Sequence, residues 1–396
     1  MENKWKRVLG FLGIQRSMVG LLTMVILVGM GERMAERFLP IYLLALGGGE
    51  LAVGLLNGLD NLLSALYSFP GGYLADRLGT KKALLVFNGI AMVGFTIVIL
   101  VPHWWAVIGA SFLFLSWTAI SLPATMKLIS VSLPSNKRTM GVSVHSLVRR
   151  IPMALGPVVG GLLIGFYGEV KGIRISFAVA LVFALVAMIA QQRLIEEPVS
   201  AEKKVTQKPG TLWKEMSPEL KGLLASDILI RFCEQIPYAF MAIWAMKTVM
   251  NPISAFQFGI LTTVEMVVAM LVYIPVAWLA DRAGKRPFVA MTFVFFTLFP
   301  LVLYYSRSFW PLVGAFALRG LKEFGEPTRK ALILDLAKRG DEAATFGLYY
   351  LIRDLVVSIA AFGGAFLWTI SPAVNLYTAF FFGVAGTTLF FLTSAK

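Results

Sequence analysis

The chain of 396 residues holds one cysteine and two histidines. Cys233 lies inside an apolar stretch, which excludes a disulfide scaffold within the chain. His103 and His145 show no zinc-ligand spacing, so neither a metal nor a cofactor is expected. No Walker sequence, phosphate loop or nucleophile elbow occurs, and no soluble sensor domain. These absences argue against an ATP-driven pump, a membrane-embedded enzyme and a receptor. Charge is scarce as well: only 15% of residues are charged, too few to cover a soluble surface.

What is abundant is apolar: 58% of residues, with a mean hydropathy of +0.76. Runs of about 20 apolar residues recur, each long enough to cross a hydrocarbon core. They fall near 18–45, 50–75, 83–101, 106–131, 140–166 and 174–192. A second set lies near 222–246, 255–280, 288–305, 310–335, 344–369 and 373–393. The net charge of +14 is not spread as a nucleic-acid surface would be. Lys and Arg gather at every second gap, as in Arg77, Lys81 and Lys82 or Arg282, Lys285 and Arg286, while alternate gaps are nearly bare. This positive-inside bias predicts an even span count with both termini in the cytoplasm. The long first apolar segment after a basic start predicts no cleaved signal peptide.

The chain repeats itself. Leu74-Ala75-Asp76-Arg77 returns as Leu279-Ala280-Asp281-Arg282, 205 positions later. Arg149 returns as Arg353 at an offset of 204, Asp60 faces Glu265 at 205, and Glu32 meets Glu234 at 202. The expected division is a six-helix half over 1–193, a polar cytoplasmic linker over 194–220 and a second half over 221–396. Halves in the same orientation suit a carrier that rocks about a central site.

Gly72-Tyr73-Leu74-Ala75-Asp76-Arg77-Leu78-Gly79-Thr80-Lys81-Lys82 resembles the signature of the major facilitator superfamily between its second and third helices. Asp281, Arg282 and Gly284 belong to a second copy. The resemblance covers the whole chain in span count, linker position and repeated signature. It implies an all-α fold of about twelve membrane helices around a central cavity. In that family the loop latches the halves at the cytoplasmic face, which implies gating roles for Gly72, Asp76, Arg77, Gly79, Asp281 and Arg282. Ala154-Leu155-Gly156-Pro157-Val158-Val159-Gly160-Gly161 is similar to a core that exporters of the family carry in the fifth helix. Gly156 and Pro157 there permit a bend and close packing. One departure stands out: many drug exporters carry an Arg in the fourth span, but the position matching Arg319 is Leu115.

Ionisable groups inside apolar spans are costly and point to function. Near mid-depth lie Glu32, Asp60, Arg149, Arg231, Glu234, Glu265, Arg319 and Arg353, with Glu323 one turn beyond Arg319. On the tenth span, Arg319 with Glu323 and Lys322 with Glu326 stand at i, i+4, where intrahelical pairs form. Arg33 or Arg37 can pair with Glu36, leaving Glu32 for a cavity. Asp60 and Glu265 have no opposite charge within a helical turn of their own span. They are candidate proton carriers or, equally, substrate ligands. Arg149 and Arg353 suit an anionic group or a carboxylate partner.

The expected function is a proton-coupled secondary carrier exporting a small amphiphilic organic compound by alternating access. The alternative is an importer or facilitator of a nutrient or lipid-like anion. The chain is expected to act as a monomer in the inner (plasma) membrane, with the lipid bilayer, protons and a small molecule as its partners.

Overall fold

A computed structural model describes residues 16–115, 117, 121, 125, 128, 138–196, 209–338 and 342–394. Nearly all of them are helical. In order the α-helices are α1 (Arg16–Glu36), α2 (Leu39–Ala45), α3 (Gly49–Leu78), α4 (Thr80–Leu100) and α5 (Trp104–Phe114). Next come α6 (Arg138–Tyr167), α7 (Glu169–Leu194), α8 (Pro209–Glu215), α9 (Pro218–Tyr238) and α10 (Phe240–Ile243). The series ends with α11 (Ala255–Ala283), α12 (Arg286–Tyr305), α13 (Phe309–Gly320), α14 (Glu326–Leu336), α15 (Glu342–Ile370) and α16 (Pro372–Ser394). Among the described residues eight helices are long and apolar enough to cross a membrane. The number is nine if α9 and its continuation to Thr248, bent by 43°, form one span.

Several expected spans are broken where the sequence allows it. The first gives way at Arg37 and Phe38, with Pro40 opening the first turn of α2. The seventh bends at Ala239, after Pro237, and runs through a π-turn over Trp244–Thr248. The tenth is interrupted by a 3-10 turn, Leu321–Glu323, between α13 and α14. The Gly325 amide that this break frees from the helix donates to Thr292 Oγ1 on α12 at 2.5 Å. Other helices begin on explicit caps. Ser217 Oγ accepts from the Leu220 amide ahead of α9, and Ser254 forms a reciprocal capping box with Gln257 ahead of α11.

The chain forms two compact units, Met1–Gly47 with Leu63–Glu202, and Gly48–Leu62 with Lys203–Lys396. In the first, α1 packs on α6 and α7 through small residues. A Cβ on Gly156 would lie 2.6 Å from Arg33 Cβ, and one on Gly31 would lie 2.7 Å from Ala180 Cα. Gly160 lies against the backbone of Met34. Phe95, Phe114 and Phe177 join α4, α5 and α7 with ring centroids 5.4–5.6 Å apart. In the second unit, Leu220, Leu224, Phe293, Ile333, Tyr349 and Phe390 share one buried cluster. Asn375 Nδ2 donates to the carbonyls of Gly364, at 2.7 Å, and Ile236, at 3.2 Å, tying α16 to α15 and α9. Leu100, Phe166, Trp310 and Leu392 stay exposed, as a lipid-facing surface requires.

Candidate functional site

The densest charge lies in the second unit and is organised along one face of α9. Asp227, Arg231 and Glu234 stand at i, i+4 and i+7, so their side chains leave the helix on the same side. Arg231 Nη1 lies 2.6 Å from Glu234 Oε2, its Nη2 3.4 Å from Glu326 Oε2, and its Nε 4.0 Å from Asp227 Oδ1. Arg231 therefore joins two groups of ions.

The first group gathers at Glu234. Lys322 Nζ reaches Glu234 Oε1 at 2.7 Å and Glu265 Oε1 at 3.5 Å. Arg319 forms a buried ion pair with Glu265 Oε2 and lays its guanidinium over Tyr238 and Phe299, 5.5 and 5.6 Å from the ring centroids. The second group gathers at Asp227, which is fully buried. It pairs with Arg329 and accepts from Tyr349 Oη at 3.1 Å and Arg353 Nη1 at 3.5 Å. Arg329 also holds Glu326 at 2.6 Å, and Arg353 holds Asp354 at 2.7 Å while its guanidinium lies 4.1 Å from the Tyr350 centroid. Buried charges persist only when matched in this manner.

The i, i+4 pairs expected on the tenth span do not form. The 3-10 turn removes the register that would align Arg319 with Glu323 and Lys322 with Glu326. Arg319 and Lys322 turn to α11 and α9, while Glu326 pairs with Arg231 and Arg329 and, at 3.4 Å, with Lys330. Glu265 is reached by two cations of the tenth span, Arg319 and Lys322. Glu323 is part-buried in the turn itself.

The sequence symmetry of Asp60 and Glu265 does not extend to their surroundings. Glu265 is fully buried, whereas Asp60 is part-buried on the stretch of α3 that belongs to the second unit. On either side of Asp60, Asn57 donates to the Gln235 carbonyl and Asn61 to Gln235 Oε1, each at 3.2 Å. Asp227 is a site residue that the sequence reading does not single out, whereas Tyr349 is among the aromatics it offers for a cavity wall. The signal was there for Asp227, an acid one turn before Arg231 in an apolar span.

The first unit carries a small cavity of about 20 Å³, room for one water. Glu32 on α1, His145 and Arg149 on α6, and Trp117, Ser121 and Thr125 line it. Arg33 Nη1 lies 2.7 Å from Glu36 Oε2, so Glu32 is the acid of this stretch that faces the cavity. Gly156 and Pro157, about two turns beyond Arg149 along α6, are buried.

The signature loops share their backbone. Gly79 (φ 86°, ψ 155°) opens α4 and Gly284 (φ 88°, ψ 155°) closes α11, a conformation open to glycine. Arg77 and Arg282 are exposed. Around the second copy, Lys285 pairs with Asp335, and Arg286 lies 2.8 Å from Glu219. Side-chain placement at Gly72, Asp76 and Asp281 lies outside the described residues.

The sequence profile of the Major Facilitator Superfamily matches residues 21–246 and 223–396. An uncharacterized MFS-type transporter of Methanocaldococcus jannaschii is 23% identical over 375 residues, 92% of this chain and 91% of that protein. Among solved structures, a peptide transporter POT in complex with sulfate superposes with a TM-score of 0.78 at 15% identity, covering 96% of this chain and 94% of that one. A bacterial homolog of the human lysosomal transporter Spinster superposes with a TM-score of 0.74 at 15% identity, covering 96% of each chain. Signature loops, multi-pass helical fold and profile agree: this chain is a membrane transporter belonging to the major facilitator superfamily.

Proposed function

We propose that the chain is a proton-coupled secondary carrier that exports a small amphiphilic organic compound by alternating access. The observation that carries this reading is the Glu234–Lys322–Glu265–Arg319 group, two acids and two bases within one membrane unit, all buried but the part-buried Lys322. A carboxylate that takes up a proton there releases its cation, and the freed Lys322 or Arg319 must find another partner. Proton binding is thereby tied to a rearrangement of α9, α11 and the broken tenth span, which is the requirement for coupling. The halves 1–193 and 221–396, six spans each, supply the moving parts, and the loop bearing Asp76 latches the cytoplasmic side. Gly156 and Gly160 support export, because their close approach to α1 reproduces in space the small-residue packing of the exporter-like motif.

The test is transport in proteoliposomes under an imposed pH gradient, with cationic, neutral and anionic compounds. Accumulation that follows the gradient and exchanges substrate for protons is the expected result. Transport indifferent to the gradient overturns proton coupling, and gradient-driven movement of an anion together with protons places the chain among importers. Orientation is tested separately. Reporters fused after Lys396 and inserted within 200–210 should both read cytoplasmic.

A further inference from the structure

Three buried side chains of the first unit form one continuous hydrogen-bonded chain. Trp117 Nε1 donates to Asn88 Oδ1 at 2.8 Å, Asn88 Nδ2 donates to Gln191 Oε1 at 2.9 Å, and Gln191 Nε2 donates to the Lys81 carbonyl at 2.9 Å. Asn88 is 1% exposed and Gln191 is fully buried. One end, Trp117, is a wall of the cavity that also holds Glu32, His145 and Arg149. The other end, Lys81, lies in the first turn of α4, two residues past the left-handed Gly79 of the signature stretch.

The chemistry of the two ends fixes the polarity of the whole chain. An indole N–H only donates and a peptide carbonyl only accepts. Each amide between them therefore has one satisfactory orientation, and turning either one breaks both of its bonds. Displacing the indole leaves the buried Asn88 Oδ1 without its protein donor, so the amides are held together or released together. Packing alone does not require a chain of this kind, since apolar side chains would fill the same space without needing partners.

We infer that Asn88 and Gln191 are positioning residues that transmit the state of the first-unit cavity, through Trp117, to the signature loop at Lys81. The inference rests on reading that loop as a gate, and the experiment separates the two. Lys82→Cys adds an exposed thiol beside Lys81. The native Cys233 is fully buried and donates to the Phe296 carbonyl, so it stays silent. Labelling by a water-soluble maleimide is followed in inside-out membrane vesicles carrying the full chain.

Glu32→Gln perturbs the cavity, and the labelling rate at Lys82→Cys is expected to change several-fold. Adding Asn88→Leu should erase that response. A merely structural Asn88 would shift the basal rate yet leave the Glu32→Gln response intact, and that result overturns the inference. No response to Glu32→Gln with the chain intact overturns it too. Asp76→Asn serves as the control on the gate: unchanged labelling there sinks the gating reading and this inference with it, whereas a response to Asp76→Asn alone sinks only the relay. Should Asn88→Leu fail to fold, Trp117→Phe removes the first donor while keeping a ring in the wall, and the same erasure is expected.

Discussion

Lys322 bridges the break in the tenth span to α9, its Nζ 2.7 Å from Glu234 Oε1. The two side chains are 12% and 7% exposed, so little water is present to replace either partner. Lys322→Met should therefore destabilise the protein by about 3 kcal/mol, the cost of leaving a buried carboxylate short of a cation. Thermal unfolding in detergent reads the loss. Adding Glu234→Gln should recover part of it, a coupling that additive, independent sites would not show.

Asp227 is the acid on which the second ion group depends. Asp227→Asn leaves Arg329 and Arg353 without their shared carboxylate in a fully buried setting. A loss of roughly 3–5 kcal/mol is expected, enough to reduce the yield of folded protein. Glu234→Gln should cost less stability, because Arg231 and Lys322 retain Glu326 and Glu265 as partners. Equal melting of Asp227→Asn and the parent would remove Asp227 from the structural frame.

Glu265→Gln is expected to abolish gradient-driven transport while sparing substrate exchange at equilibrium. Asp60→Asn tests the alternative position for the same proton. If Glu265→Gln weakens binding and exchange alike, that residue is a substrate ligand. If both variants keep pH-driven accumulation, Glu32, Glu234 and Glu323 become the candidates, and the same flux assay ranks them.

Gly160 tests the packing of the first unit. A leucine there would drive its side chain into the Met34 backbone, which has no flexible end to yield. Gly160→Leu should cost at least about 1–3 kcal/mol, the range for overpacking a tight interior. Lower thermal stability, measured against Gly89→Leu at a position facing open space, would show it.

How much of this was readable beforehand differs by level. Among the described residues the positions of eight spans, nine with the bent one, followed from apolar runs, because hydrocarbon leaves a helix few alternatives, and most of the expected span 106–131 lies outside those residues. The repeat was legible in Leu74-Ala75-Asp76-Arg77 and its later copy, and Gly79 and Gly284 carry it into nearly equal dihedral angles. Charge pairing was not legible in the same way. Spacing within one helix suggested Arg319 with Glu323, but a single 3-10 turn redirected Arg319 to a carboxylate 54 residues away. Short-range periodicity cannot register such a turn, since Gly320 and Gly325 permit it without demanding it. The role of Asp227 is not legible in the sequence because its partners lie on α14 and α15, more than 100 residues along the chain.

The interruption between α13 and α14 also has an electrical meaning. A continuous span would carry one macrodipole, with its poles at the two membrane surfaces. Two stacked segments bring a partly negative C-terminal pole and a partly positive N-terminal pole together at mid-depth. Arg319 occupies the last turn of α13 and Glu326 the first turn of α14. Each charge thus sits in the field of opposite sign, and the backbone sorts cation from anion before any side-chain partner is counted. The Thr292 hydroxyl accepts from the Gly325 amide at the start of α14 and so pins the positive pole in place, which makes one neutral residue a guardian of the charge order around it.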